Sequence, residues 1–218
     1  KITVVQIAPA VRAAWGEPLG LTREEATVGK LVASLRAMGF DYIFDTDFSA
    51  DLTIMEEGSE FLDRLQNGGT LPLMTSCCPA WHAMVHKLFP AQAKNISMTL
   101  TPMVYTARMV KREQPEAKIV FVGPCAAKKL EASRRTIRSY VDFVLTFEEV
   151  AGMFEAKNID FSSLPEGEPL VRASADGRGF AASGGVAAAV VKAVHRLDPA
   201  RDVKVVSADG LANCKKML

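Results

Sequence analysis

The chain has few of the residues that mark several broad classes of protein. Of its 218 residues, four are cysteine and three are histidine, and 7% are aromatic. Four cysteines are too few for a disulfide scaffold, so metal or thiol chemistry in a reducing compartment is the better interpretation. No apolar run approaches the roughly 20 residues that span a bilayer. A formal net charge of +1 favours neither nucleic acid nor an anionic membrane as a partner.

What is present predicts an ordinary globular protein. Hydrophobic residues make up 49% of the chain, enough for a substantial core in one domain or in two closely packed lobes. The chain starts with Lys1 instead of Met and opens directly into a strand-like run. We therefore expect an excised segment of a longer protein.

Alternating strand and helix patterns predict an α/β fold with largely parallel sheets flanked by helices. Apolar residues recur at helical spacing from 28 to 38 and again from 52 to 65. Strands are predicted at 4–7, 42–44, 119–122, 141–145 and 203–206. The polar stretch at 114–116 is a candidate boundary, which divides the chain into a first lobe, 1–115, and a partial second lobe, 116–218.

Two adjacent cysteines, Cys77 and Cys78, and a third, Cys125, lie in settings that suit redox-metal chemistry. They follow short apolar runs, 71–74 and 119–122, so we expect the thiols at the carboxyl edge of sheet strands, where ligands bind in open α/β sheets. Cys78 precedes Pro79 at a predicted helix start, where free backbone N–H groups favour a thiolate. Thiolates suit iron–sulfur clusters, zinc or copper(I). The alternative is that each cysteine is a small buried apolar residue.

Several charged and metal-binding residues admit two interpretations. Lys128 could donate to an anionic ligand or belong to a solvated pair with Lys129. Spacing does not decide whether Glu57 and Glu60 pass protons inward or face solvent. His82 and the histidine four residues later could chelate a metal, although their neighbours look like core. Cys214 lies on an apolar helical stripe, which favours burial over ligation.

Taken in order, the motifs resemble the catalytic domain of the iron-only, or [FeFe], hydrogenases. The segments that carry the resemblance are, in order, Gln6 to Arg12, Gly39 to Thr46, Ala50 to Glu57, Thr75 to Trp81, Pro124-Cys125 with Lys128, Lys129 and Glu131, and Ser183 to Val186. The resemblance implies a two-lobed fold with the active site in the cleft between the lobes. It also implies the reversible reaction 2H⁺ + 2e⁻ ⇌ H₂.

The family's catalytic centre is a [4Fe–4S] cluster joined through one cysteine to a two-iron unit with CO, cyanide and a bridging dithiolate amine. By resemblance, Cys78 and Cys125 are two cluster ligands, and Cys77 exchanges protons with the bridging amine. Lys128 donates to an iron-bound cyanide. The implied proton path to the surface consists of Glu57, Ser97 and Glu60. The residues implied to line the pocket of the two-iron unit are Ala8, Pro9, Ala10, Gly123, Pro124 and Phe180.

The chain also departs from the family pattern. The family's third cysteine motif, which supplies the other two cluster ligands, should follow the segment 210–218, so we expect this chain alone to be inactive. Gly123 stands where catalytic members usually have Met, Ala10 where Ser is common, and Met103 replaces Gln. Such changes are seen in members thought to sense hydrogen, which leaves a hydrogen sensor as an alternative. A non-enzymatic iron–sulfur assembly factor is a second alternative, and the retention of Cys77, Glu57, Glu60 and Lys128 argues against it.

The resemblance also implies partners and a compartment. The partners are H₂ and protons, an electron-transfer iron–sulfur domain or ferredoxin, and maturation proteins, with no nucleic acid and no membrane span. The expected location is the cytoplasm of an anaerobe, with the periplasm as the alternative.

Overall fold

The computed structural model describes residues 1–170 and 172–218, and in these the chain forms four strands and ten α-helices. In chain order they are β1 (Thr3–Ile7), α1 (Val11–Ala14), α2 (Val28–Ala37), β2 (Tyr42–Asp45), α3 (Asp47–Gln66), α4 (Pro79–Leu88), α5 (Pro102–Glu113), β3 (Lys118–Val122), α6 (Ala127–Ser133), β4 (Phe143–Leu145), α7 (Phe147–Ala156), α8 (Ala175–Arg178), α9 (Gly185–Leu197) and α10 (Leu211–Met217). None of the helices in this described part has the length and hydrophobicity needed to cross a membrane.

The strands form one sheet in the order β2-β1-β3-β4, and every neighbouring pair is parallel. Ile7 at the end of β1 is in register with Asp45 of β2 and with Val122 of β3. The carboxyl ends of these three strands therefore meet at one edge of the sheet. This confirms the predicted α/β fold with parallel strands flanked by helices.

The core lies on both faces of the sheet. From Val4 to Ile7 every residue of β1 is buried, and so are the last four residues of β3. Strands buried on both faces read as nearly continuous apolar runs, interrupted in Val4–Ile7 only by Gln6, which is why the sequence pattern identified them. A second, smaller apolar cluster joins α3 to α9 through Ile54, Ala189 and Ala193, with Phe180 packed against it.

Two predicted strands are wrong. Residues 203–206 form no strand, and the side chains of Val205 and Val206 are exposed. The run 71–74 contributes a single bridge, between Met74 and Ile96, and no strand of the sheet. Pro72 lies inside this run and has no N–H group to donate to a ladder. Apolar runs of three or four residues do not form strands unless a partner strand is available to complete the hydrogen bonds.

The division into two lobes at residue 115 stays a prediction. The sheet contains β1 and β2 from before that position and β3 and β4 from after it. The first half and the second half of the chain therefore share this layer.

Candidate functional site

The parallel pairing of β1 and β3 brings together two segments that were predicted to line a pocket. The Ala8 N–H donates to the carbonyl oxygen of Val122 at 2.8 Å, and Gly123 follows directly in the chain. A Cβ atom added at Gly123 would lie 3.1 Å from the Cβ atom of Ala8. Ala8 is buried, and Pro9 and Ala10 are half-buried. The turns after the two strands therefore lie side by side.

Gly123 occupies a position with little room for a side chain. An added Cβ atom would approach the aromatic ring of Phe121 to 2.7 Å, which is shorter than any normal carbon–carbon contact. A larger residue here requires Phe121 to move. The local packing therefore suits glycine at position 123, where the family resemblance leads us to expect Met.

Cys78 is the N-cap residue of α4, and Pro79 is the first residue of the helix. The backbone N–H of Trp81 donates to the Cys78 Sγ atom at 3.4 Å, and the residue is exposed. N–H donors and the positive end of a helix stabilise a thiolate, which is the form that ligates metal. The sequence places Cys125 just beyond β3, and its thiol is partly accessible. The chemistry of these two thiols suits two ligand positions of an iron–sulfur cluster.

Within residues 1–170 and 172–218, no three side chains of His, Cys, Asp or Glu converge on a potential metal position. An iron–sulfur cluster of the cubane type takes four cysteines. Cys78 and Cys125 therefore fit two ligand positions of such a cluster, and the described residues bring no further ligands together with them.

Lys128 joins the first cysteine segment to α6. Its Nζ atom donates to the Cys77 carbonyl oxygen at 3.2 Å and to Glu131 Oε2 at 2.7 Å. Glu131 is buried, so the lysine is held inside the protein. The neighbouring Lys129 instead pairs with Glu149 on the surface. Of the two lysines, only the first lies at the cysteine segment.

The thiol of Cys77 lies in a different environment from that of Cys78. Burial and, to a smaller extent, the negative charge of Glu57 raise the pKa of Cys77 to about 12, while Lys128 opposes the shift. At neutral pH the thiol therefore keeps its proton. This suits a group that carries a proton better than one that ligates a metal as a thiolate.

Glu57 is fully buried on the inner face of α3. Its Oε1 atom accepts a hydrogen bond from the backbone N–H of Ser76 at 3.0 Å, and Oε2 has no hydrogen-bond partner. Burial raises the pKa of Glu57 to about 7, against the lowering effect of the Ser76 hydrogen bonds and of the nearby Ser97 hydroxyl. Ser76 directly precedes Cys77, so this carboxyl group is linked to the cysteine segment.

Glu60, one turn further along α3, is bonded on both oxygens. Ser97 Oγ donates to Oε2 at 2.6 Å, and the Met98 N–H donates to the same oxygen at 3.1 Å. Arg64 Nη2 lies 2.5 Å from Oε1. Sequence reasoning missed Arg64, although its spacing of four residues from Glu60 is a signal for such a pair.

The side chain of Glu60 reaches an open cavity of about 420 Å³. The cavity is lined by Met55, Glu56, Ser59, Glu60, Met98 and Thr99. The structure therefore brings together three of the predicted proton-path residues, Glu57, Ser97 and Glu60, between the cysteine segment and solvent.

Sequence patterns did not reveal a charge cluster at the carboxyl edge of the sheet. Arg12, on α1, pairs with Asp45 and with Asp47, whose Oδ2 atom lies 3.5 Å from Nε, and Arg12 Nη2 donates to the Leu170 carbonyl oxygen at 2.7 Å. Burial and the nearby Asp45 raise the pKa of Asp47 to about 7. The partners are more than 30 residues apart in sequence, and no local pattern indicates the contact.

Two other predicted residues lie away from these groups. Phe180 packs against the cluster between α3 and α9, and its place beside a two-iron unit stays a prediction. Cys214 is partly buried on α10, and its thiol donates to the Ala208 carbonyl oxygen at 3.4 Å.

Comparison with known proteins identifies the family. Residues 1–218 match the family described as iron only hydrogenase large subunit, C-terminal domain. The NADP-reducing hydrogenase subunit HndD of Solidesulfovibrio fructosivorans is 40% identical over 94% of this chain and 39% of its own length. The periplasmic [Fe] hydrogenase large subunit of Nitratidesulfovibrio vulgaris is 36% identical over 85% of this chain and 48% of its own length. A probable cytosolic Fe-S cluster assembly factor of Nematostella vectensis is 31% identical over 85% of this chain and 47% of its own length.

The fold agrees with solved structures. An apo [FeFe]-hydrogenase from Chlamydomonas reinhardtii has a TM-score of 0.79 and 36% identity, over 97% of this chain and 57% of that one. The chain spans less than half the length of the curated relatives named above. The resemblance predicted from the motifs is confirmed, and the chain belongs to the family of C-terminal domains of iron-only hydrogenase large subunits.

Proposed function

We propose that this chain is the part of an iron-only hydrogenase that supplies two cluster thiols and carries protons between the active site and the surface. The parent reaction is 2H⁺ + 2e⁻ ⇌ H₂. The observation that carries the proposal is the pair of carboxyl groups between Cys77 and the surface. The buried Glu57 accepts a hydrogen bond from the N–H of Ser76, beside Cys77, and Ser97 donates to Glu60 at an open cavity. A buried carboxyl group of this kind is costly and is explained by proton transfer.

Cys78 and Cys125 are the residues that would ligate a [4Fe–4S] cluster. When bound, this cluster would relay electrons from a donor, and its two-iron unit would supply the site at which hydrogen is made or split. Lys128 would donate to a cyanide on the two-iron unit. The turns that would line its pocket contain Ala8, Pro9, Ala10, Gly123, Pro124 and Phe180.

Each residue of the proton path has a distinct task. Cys77 holds a proton at Sγ, and the pKa of about 12 means that it gives the proton up only to a strong base. Glu57, with a pKa of about 7, gains and loses a proton readily at neutral pH and so restores the thiol. The hydroxyl of Ser97 passes the proton between Glu57 and Glu60. Glu60 exchanges it with water in the cavity.

The remaining assignments rest on the family. The partners would be H₂ and protons, a ferredoxin or an iron–sulfur domain that delivers electrons, and maturation proteins that build the cluster. The location would be the cytoplasm of an anaerobe, with the periplasm as the alternative because one relative is named as periplasmic. These 218 residues alone would have no hydrogenase activity, because they provide two of the four cluster thiols.

A hydrogen sensor is the second candidate, and the packing at Gly123 favours it. The ring of Phe121 fills the space that a side chain at 123 would need, so this part of the pocket differs from that of members with Met. A sensor would bind the complete cluster but turn over slowly. The rate of hydrogen evolution from reduced methyl viologen, in a longer protein with full iron content, separates the two candidates. An assembly factor would instead lack the infrared bands of CO and cyanide.

The experiment that tests the proposal compares two adjacent cysteines in a longer hydrogenase that contains this chain. We expect Cys77→Ala to keep its iron and its CO and cyanide infrared bands while turnover falls by about 10² to 10⁴, the usual contribution of a positioned acid or base. Cys77→Asp should recover part of the activity, because a carboxyl group can carry a proton at the same place. Cys78→Ala is the matched control and should lose cluster iron.

Two results would contradict this division of roles. Loss of iron from Cys77→Ala would make this residue a ligand. Full activity of Cys77→Ala would mean that protons enter by another route, and the tasks given to Glu57 and Glu60 would be wrong as well.

A further inference from the structure

The two histidines of α4 form a pair that the proposed function does not use. His82 and His86 are four residues apart and therefore share one face of the helix. Their ring centroids are 4.2 Å apart, and the ring planes meet at 28°. At this separation both imidazoles can reach one ion after small rotations about their side-chain bonds.

The surroundings favour the form of imidazole that binds metal. A neutral ring nitrogen is the ligand, and imidazole suits zinc, nickel and copper. Burial lowers the pKa of His82, as do the charges of His86 and Arg134, against a smaller opposing effect of Glu131. His86 is exposed, so an ion and its water ligands have access to the pair.

We propose that His82 and His86 form a binding site for one divalent transition-metal ion of the zinc type. Two histidine ligands leave two positions of a tetrahedral Zn²⁺ ion for water or for another ligand. The inference rests on the geometry of α4 and does not depend on the proposed hydrogenase function.

Arg134 identifies the ring nitrogen of His82 that is available. Its Nη1 atom lies 3.4 Å from Nδ1, so the guanidinium group occupies that side of the ring and Nε2 is left for the ion. Binding through Nε2 places the ring proton on Nδ1, which ends the contact with Arg134. The positive charge of Arg134 also repels a cation. Arg134→Met should therefore bind Zn²⁺ more tightly.

The test is calorimetric titration with Zn²⁺. All proteins carry Cys78→Ser and Cys125→Ser, so that the thiols proposed to ligate the cluster do not take up zinc. The variants are His82→Gln and His86→Gln, and the matched control is His195→Gln, which removes the remaining histidine of the chain from an exposed position on α9. Circular dichroism checks that all variants keep the same helix content.

We expect the background protein and the His195→Gln variant to bind one equivalent of Zn²⁺ that both α4 variants bind at least tenfold more weakly. Mg²⁺, which prefers oxygen ligands, should not replace it. Unchanged zinc binding in His82→Gln or in His86→Gln would overturn the paired site. Weaker or unchanged binding in Arg134→Met would overturn the assignment of Nε2 as the ligating atom.

Discussion

Glu57 and Glu60 are the same kind of residue, one turn apart on the same helix, and their surroundings differ sharply. Glu57 is fully buried, and its Oε2 atom has no hydrogen-bond partner. Glu60 is partly exposed, and Arg64, Ser97 and the Met98 N–H together bond both of its oxygens. The inner carboxyl group has few hydrogen-bond partners, and the outer one has partners on both oxygens.

The surroundings, and not the residue type, suit each carboxyl group to the task proposed for it. Taking a carboxylate out of water disfavours its charged form, and this raises the pKa of Glu57 to about 7. A group with such a pKa changes protonation readily near neutral pH. Glu60 has the positive charge of Arg64 beside it and borders the open cavity. In the proposed function, Glu57 would transfer protons inside the protein and Glu60 would exchange them with the surface.

The largest difference that we expect between Glu57 and Glu60 is in hydrogenase activity. In a longer protein with a complete cluster, Glu57→Gln should lower turnover by about 10² to 10⁴, because an amide cannot carry the proton. Glu60→Gln should lower turnover by a smaller factor, because Glu60 is partly exposed at the open cavity, where water can take over its exchange with solvent. Hydrogen evolution at matched iron content measures both variants. A larger loss for the outer residue than for the inner one would contradict the proposed order of tasks.

The next effect is on stability, and it can be measured on this chain. The pKa of Glu57 is about 7 in the folded protein, against 4.5 for an ordinary exposed glutamate, so the folded state binds more protons between these values. Its contribution to stability is fully present below about pH 4.5 and is lost as the pH rises through about 7, by on the order of 3 kcal/mol.

Urea unfolding at several pH values measures this contribution. The contribution of Asp47 to the free energy of unfolding is lost in the same pH range, because its pKa is also raised to about 7. The difference in free energy of unfolding between the native chain and Glu57→Gln therefore isolates the contribution of Glu57. The variant should become more stable relative to the native chain as the pH rises from about 4.5 to about 8. A difference that stays constant with pH would show that the buried carboxyl group does not titrate in this range.

The smallest expected effect tests whether Ser97 connects Glu57 to Glu60. Ser97→Ala removes the hydroxyl that donates to Glu60 and that lowers the pKa of Glu57. We expect the free energy of unfolding to fall by about 1 kcal/mol and the pKa of Glu57 to rise. Thr99→Ala is a suitable control, because its hydroxyl bonds to Glu60 only at 3.4 Å. An unchanged pKa of Glu57 in Ser97→Ala would remove this serine from the proton path.

Much of the fold could be predicted because its signals are local. β1 and β3 are short apolar runs that end at Pro and Gly, and parallel pairing brings their ends together. The runs at 71–74 and 203–206 have similar local signals, but one contains a proline and neither finds a sheet partner in the described residues. Whether a short run becomes a strand depends on its neighbours in space, which the sequence does not display.

The site could be predicted in part for the same reason. The cysteine motifs are local, and Cys78 lies at a helix start as expected. Spacing on α3 did not decide whether Glu57 faces inward, because the helix carries apolar and charged residues on overlapping faces. The pairing of Arg12 with Asp47 joins distant segments, so no spacing rule detects it.

Infrared spectroscopy of the carboxyl group tests the central claim most directly. The carbonyl stretch of a protonated carboxylic acid is recorded for this chain across about pH 5 to 9, and the spectrum of Glu57→Gln is subtracted at each pH so that Asp47 does not contribute. If Glu57 is the inner proton carrier, a band that belongs to Glu57 should disappear with a midpoint at about pH 7. Absence of that band at every pH above about 5.5 would show that Glu57 is already ionised and would contradict the proposed inner proton carrier.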